Sequence, residues 1–180
     1  MKNIGKFEKV SYLEFEQTAE KYMGIPKIFR YSNPNTYAKI KTLYDTLKMP
    51  IRKTKNSAGY DFYFPYSDIW LYPDQEIEFY TGIKVKIRNG WFLGLFPKSG
   101  ISFKYKLRLV DTISVIDGDY YNTDHEGNIC VKLKNCGELP FQIKNNEPII
   151  QGVFMQYGLT TDDCTTETRT GGLGSTYNLD

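Results

Sequence analysis

The stretch Ile77-Glu-Phe-Tyr-Thr-Gly-Ile-Lys-Val-Lys-Ile87 sets Ile77, Phe79, Ile83, Val85 and Ile87 two residues, or multiples of two, apart. A period of two sends alternate side chains to opposite faces, so the stretch reads as strand with one buried face. The same reading extends outward to Ala58–Phe64, Trp91–Phe96, Ile129–Lys134 and Ile149–Tyr157, which alternate or form short apolar runs broken by Gly, Pro, Asn and Asp. Closely spaced segments of this kind from about Ser57 onward, with no long helical period among them, predict an all-β sandwich or jelly roll. The aromatic share of 16% suits pleated, half-buried surfaces.

The N-terminal third differs. Ser11-Tyr-Leu-Glu14 has the form of a capping box, and Leu13, Phe15, Ala19, Tyr22 and Met23 recur near helical spacing, predicting a helix at about 12–23. Beyond Ser32-Asn-Pro-Asn35, the stretch Thr36–Lys48 carries Tyr37, Ile40, Leu43, Tyr44 and Leu47 on one helical face and ends before Pro50. The 180 residues therefore predict a single domain with a helical insertion at about 12–48. The insertion either packs on the barrel or presents a surface to a protein partner, and it is expected to be dispensable for chemistry.

Charge and cysteine usage narrow the function classes. With 23 Lys+Arg against 21 Asp+Glu, the net charge of +2 does not indicate a nucleic-acid binder. Cys130, Cys136 and Cys164 show neither a CxxC pair nor a nearby histidine cluster, and read as reduced packing residues. No apolar run approaches the roughly 18 residues of a membrane span, and Met1–Lys9 lacks a signal-peptide core, so no membrane association and a cytoplasmic location are expected.

Three segments carry groups suited to phosphate chemistry. Pro97-Lys-Ser-Gly-Ile-Ser102 combines a turn-permitting Gly100 with Lys98, Ser99 and free backbone N–H groups. Arg169-Thr-Gly-Gly-Leu-Gly-Ser-Thr176 is either an anion-wrapping backbone nest or a frayed tail. Val115-Ile-Asp-Gly-Asp-Tyr120 places two carboxylates beside Gly118, as a catalytic turn or as a plain chain reversal.

Taken in order with Ser57-Ala-Gly-Tyr-Asp61 and Pro148-Ile-Ile-Gln-Gly-Val-Phe154, these segments resemble the five ordered motifs of the trimeric dUTP diphosphatase (dUTPase) family. The resemblance covers Asn56 to Tyr177, with a short outlying match at Phe7-Glu-Lys-Val-Ser11. It implies a jelly-roll homotrimer with shared active sites that hydrolyses dUTP to dUMP and pyrophosphate with Mg²⁺. It makes Asp117 the carboxylate that deprotonates the attacking water, and lays Tyr120 against the deoxyribose. Lys98, Ser99 and Gly100 match the phosphate-gripping segment, Gln151 matches a contact to the α-phosphate, and Asp61 matches the acid that supports Mg²⁺ through water. Asp111 and the hairpin from Ile113 would read the base. A closing arm at about 165–180, contributed by another subunit, would bring Arg169, Gly171, Gly172, Leu173, Gly174, Ser175 and Thr176 over the nucleotide. The extra residues Tyr121–Glu126 resemble a branch found in Gram-positive bacteria and their phages, which would set the protein in the host cytoplasm if it is phage-encoded.

Four departures bear on specificity and grip. Lys98 stands where the family more usually has Arg, Arg169 sits one residue closer to the glycines, Leu173 replaces a stacking Phe, and Asp111 replaces an Asn. An ionised carboxylate only accepts hydrogen bonds, so relaxed discrimination against cytosine is expected. A related dCTP deaminase would need a catalytic Glu near Lys132, where no carboxylate stands. The alternative of another class is a catalytically weak deoxynucleotide-binding regulator that engages a partner through the N-terminal insertion.

Overall fold

Phe7 sits opposite Val85 where β1 (Gly5–Lys9) pairs antiparallel with β5 (Ile83–Ile87) in the computed structural model, which describes residues 3–25, 34–167, 169 and 171–172. Between these strands come α1 (Tyr12–Tyr22), α2 (Pro34–Asp45), β2 (Tyr60–Tyr63), β3 (Ile69–Leu71) and β4 (Glu76–Tyr80). Then follow β6 (Trp91–Pro97), α3 (Ser99–Tyr105), β7 (Leu107–Leu109), β8 (Ser114–Ile116) and a 3-10 turn (Gly118–Asn122). β9 (Cys130–Asn135), β10 (Phe141–Ile143) and β11 (Pro148–Gln156) complete the order. The described strands form antiparallel sheets in the orders β1-β5, β10-β3, β2-β11-β6-β8 and β4-β9-β7. The architecture is jelly-roll-like and mostly β with an N-terminal helical segment, as the sequence predicts.

The stretch Ile77–Ile87 forms two strands that belong to different sheets. Gly82 turns the corner between them at φ +73, a left-handed conformation that costs glycine nothing. A Cβ there would lie 2.8 Å from both Phe15 Cδ2 and Leu47 Cδ1, so the corner is also where the helical insertion presses on the barrel.

Phe15, Ala19, Ile40, Leu43 and Leu47 join Phe62, Phe64, Tyr66 and Phe79 in one buried core. Tyr22 stacks on Tyr66 with centroids 4.0 Å apart. The insertion therefore packs. Its faces differ in detail from the sequence reading, because Leu13 is 56% exposed while Glu14, Glu16, Thr18 and Glu20 are buried. The capping box is half formed: Ser11 Oγ accepts from the Glu14 N–H at 3.2 Å, but the Glu14 carboxylate turns inward. Glu126, from the far side of the fold, accepts the Ser11 N–H instead at 2.9 Å.

Two further points depart from expectation. The 7 residues of α3 make barely two turns, too few to show a helical period in sequence. Cys130 packs in the interior, whereas Cys136 and Cys164 are exposed free thiols, so the packing assignment holds for the first alone.

The core role of α1 sets a direct test. Phe15→Ala is expected to lower stability by about 3–5 kcal/mol, the usual cost of emptying an aromatic site. Leu13→Ala should change it by no more than about 0.5 kcal/mol, as for an ordinary surface residue. Urea denaturation of both variants measures the contrast.

Candidate active site

Asp61 and Gln151 are cross-strand partners of β2 and β11, and Gln151 in turn faces Phe96 of β6. Lys98 follows the end of β6, tethered by its N–H to the Ile149 carbonyl at 3.2 Å, and its ammonium forms a close ion pair with Asp61 Oδ2. The Gln151 amide donates to the Pro97 carbonyl at 3.4 Å. Gly59 makes room for this group, since a Cβ at that position would stand 2.5 Å from Gln151 Oε1. Ser99 and Gly100 open α3 beside it, both exposed, with no other group within 4 Å of a Cβ at Gly100. A cation, an amide, a hydroxyl and a carboxylate thus gather at one end of β6, a set suited to an anionic chain with a hydrated cation.

Asp117 lies at the other end. It follows β8 and caps the 3-10 turn in an extended conformation. Arg169 Nη2 donates to Asp117 Oδ2 at 2.8 Å, and its Nε lies 3.3 Å from Asp119 Oδ1 without hydrogen-bonding alignment. Burial pushes the Asp117 carboxyl above its ordinary value, Arg169 opposes that shift and Asp119 adds to it. A carboxyl raised in this way suits a proton acceptor near neutral pH. Tyr120 is buried, its hydroxyl donating to the Asn128 carbonyl at 3.0 Å, and burial keeps the phenol protonated. Gly171 and Gly172 lead the arm past His125, whose Cδ2 is 3.9 Å from a Cβ at Gly172. Asp111 and Ile113 are exposed in the turn before β8, closed by the Ile113 N–H on the Asp111 carbonyl at 2.7 Å. Leu173, Gly174, Ser175 and Thr176 lie outside the described residues.

The two groups do not meet within one chain. Ile116 pairs with Leu93 near the start of β6, so Asp117 falls beside that start while Lys98 follows its end. At about 3.3 Å per residue, the separation is about 20 Å. Among the described residues no cluster of three or more His, Cys, Asp or Glu side chains could hold a metal by itself.

Sequence reasoning read Glu14 only as a cap and missed its contacts and those of Glu126 and Asn128, which bind the helical insertion to the segment carrying Asp117. No local pattern marks them, since their partners stand more than a hundred residues apart, such as Ser11–Glu126 with a separation of 115.

The family model described as dUTPase matches residues 45–177. The deoxyuridine 5'-triphosphate nucleotidohydrolase of Lactococcus lactis subsp. lactis is 34% identical over 139 residues, covering 72% of this chain and 88% of the relative. The solved dUTPase of Streptococcus mutans superposes with a TM-score of 0.56 at 34% identity, covering 62% of this chain and 88% of that one. A mutant dUTPase from phage phi11 of S. aureus, described for its coordination of a structural Mg(II) ion, shares the fold at TM-score 0.53 and 22% identity, covering 67% and 90%.

The electrostatics around Asp117 give a signed expectation for pH dependence. A base must be deprotonated, so activity should be present above the raised Asp117 pKa and fall away as pH drops through it. Asp119→Asn removes a like charge, which should move the acid limb of kcat/KM to lower pH. Arg169→Ala should move it to higher pH, and pH profiles of the two variants check the opposite signs.

Proposed function

The chain belongs to the dUTPase family, and from that premise we propose that it hydrolyses dUTP to dUMP and pyrophosphate on active sites shared between the subunits of a homotrimer. Asp117 takes a proton from water as the water oxygen bonds to the α-phosphorus. The bond from that phosphorus to the bridging oxygen of the β-phosphate breaks, and pyrophosphate leaves. Tyr120, fixed by its bond to the Asn128 carbonyl, lies against the deoxyribose.

The observation that carries this reading is the placement of Asp117 and Lys98 at opposite ends of β6. Both groups act on the same triphosphate in this reading, and a separation of about 20 Å along one chain supports a second copy supplying one of them. Exposed apolar residues near the base, Val115 at 54%, Ile113 at 43% and Met155 at 40%, support burial against such a copy.

Lys98, Ser99, Gly100 and Gln151 receive the triphosphate, and Asp61 supports Mg²⁺ through water. A lone carboxylate beside phosphate-binding groups fits a hard cation that keeps its waters and takes substrate oxygens. Bound Mg²⁺ neutralises charge developing on the phosphates. Arg169 leaves the Asp117 and Asp119 carboxylates of its own chain for phosphate oxygens as the arm, at about 165–180 with Gly171, Gly172, Leu173, Gly174, Ser175 and Thr176, closes over the nucleotide of another subunit's site. Asp111 and Ile113 face the base, with Asp111 loosening selection against cytosine. The free thiols suit a cytoplasmic setting. The alternative of a regulator binding through the insertion is not favoured, because Phe15, Ala19, Ile40, Leu43 and Leu47, among the described residues of that insertion, are spent on the core.

Pyrophosphate release from dUTP with Mg²⁺ is the primary assay. Asp117→Asn should lose most of kcat while keeping nucleotide binding, and activity within about threefold of wild type would remove Asp117 from the role of base. Mixing with Lys98→Ala tests site sharing. Each variant alone should be nearly inactive, whereas trimers reassembled from equal amounts should recover about a quarter of wild-type activity, because random assembly leaves that share of shared sites intact. No recovery would show that both groups come from the same chain.

A further inference from the structure

The helical insertion touches the segment that carries Asp117 and Tyr120 along a continuous polar seam. At its exposed edge, the Ser11 N–H and hydroxyl both donate to the Glu126 carboxylate, at 2.9 Å and 2.6 Å, and Lys84 flanks that carboxylate at 3.5 Å. At its buried edge, Glu14 Oε1 accepts from Asn128 Nδ2 at 3.3 Å and stands 3.6 Å from His125 Nδ1. Thr18, one turn along α1, takes the same amide group at 3.4 Å.

Asn128 divides its groups among three parts of the fold. Its side-chain oxygen accepts the Gly82 N–H at 2.9 Å, its N–H donates to the His125 carbonyl at 2.8 Å, and its own carbonyl accepts the Tyr120 hydroxyl. Asn128 is fully buried, so each contact it loses leaves a group that water cannot reach. The bend at Glu126 and Gly127, with φ of 50 and 70, adds stiffness, since a Cβ at Gly127 would lie 2.7 Å from Tyr121 Cα.

We infer that α1 is a positioning element for the segment 117–128, with Glu14 acting through Asn128 to fix Tyr120 and, through the same segment, Asp117. Glu14 is a positioning residue: it touches no proposed substrate atom and works by holding a carboxamide whose backbone carbonyl holds the tyrosine. This assignment rests on the proposed roles of Asp117 and Tyr120, and it reverses the expectation that residues at about 12–48 are dispensable for chemistry.

The test compares Glu14→Ala, Glu14→Gln and Ser11→Ala with wild type for dUTP hydrolysis, thermal midpoint and amide hydrogen exchange across residues 118–128. Glutamine keeps an acceptor for Asn128, so Glu14→Gln should stay within about twofold of wild type in kcat. Glu14→Ala should lose about tenfold or more in kcat with a smaller change in KM, and its amides across residues 118–128 should exchange faster. If Glu14→Ala does not fold, Ser11→Ala carries the same comparison from the exposed edge, with a loss of about twofold to fivefold expected. Wild-type kcat and exchange in Glu14→Ala, or equal losses in the Ala and Gln variants that follow the thermal midpoint, would overturn the inference. Failure of the wild-type protein to release pyrophosphate would overturn the functional reading alone, because the exchange comparison needs no nucleotide and still decides the positioning one.

Discussion

Asn128 is a carboxamide with no access to solvent, and a buried polar side chain is tolerable only when its donors and acceptor are matched inside the fold. Matching them takes Gly82 from the corner between two sheets and Glu14 and Thr18 from the helical insertion. The Asn128 backbone adds Tyr120 and His125 from the segment that follows Asp117. The barrel corner, the insertion and the segment that follows Asp117 therefore share one set of hydrogen bonds. Burial pushes the Glu14 carboxyl upward, Asn128 and His125 pull it back, and Glu126 raises it again, so this acid is held by its neighbours and not by water.

The sheet β2-β11-β6-β8 imposes a second constraint. Its strands run antiparallel, so the motif that ends β6 and the motif that ends β8 leave the sheet at opposite ends. A fold of this kind divides one set of chemical groups between two places. On the proposed reading, association of copies unites groups that the sheet of a single chain keeps apart.

Each of the two groups pairs a cation with a carboxylate. Lys98 rests on Asp61, and Arg169 on Asp117 and Asp119. These contacts are partly exposed, so they hold the side chains in place without large energetic worth. Phosphate oxygens compete well for the same guanidinium and ammonium groups. Release of Arg169 also leaves Asp117 without a bound cation, and a carboxylate freed in this way is a stronger base.

Much of this was legible in the linear chain. The alternation around Gly82, the helical spacing of Phe15 and Ala19, and the ordered segments around Asp61, Lys98, Asp117, Gln151 and Arg169 are local patterns that backbone geometry and turn chemistry write directly into neighbouring residues. Those patterns determined the mostly β class, the two leading helices and the family, and they named the groups proposed to react. Tertiary structure decided the rest. It set Ile77–Phe79 and Ile83–Ile87 in different sheets, turned Glu14 inward while Leu13 faced out, gave Ser11 its partner in Glu126, and parted Asp117 from Lys98. None of these follows from spacing, because each depends on which distant group satisfies a buried donor or charge, and that pairing exists only once the chain has closed on itself.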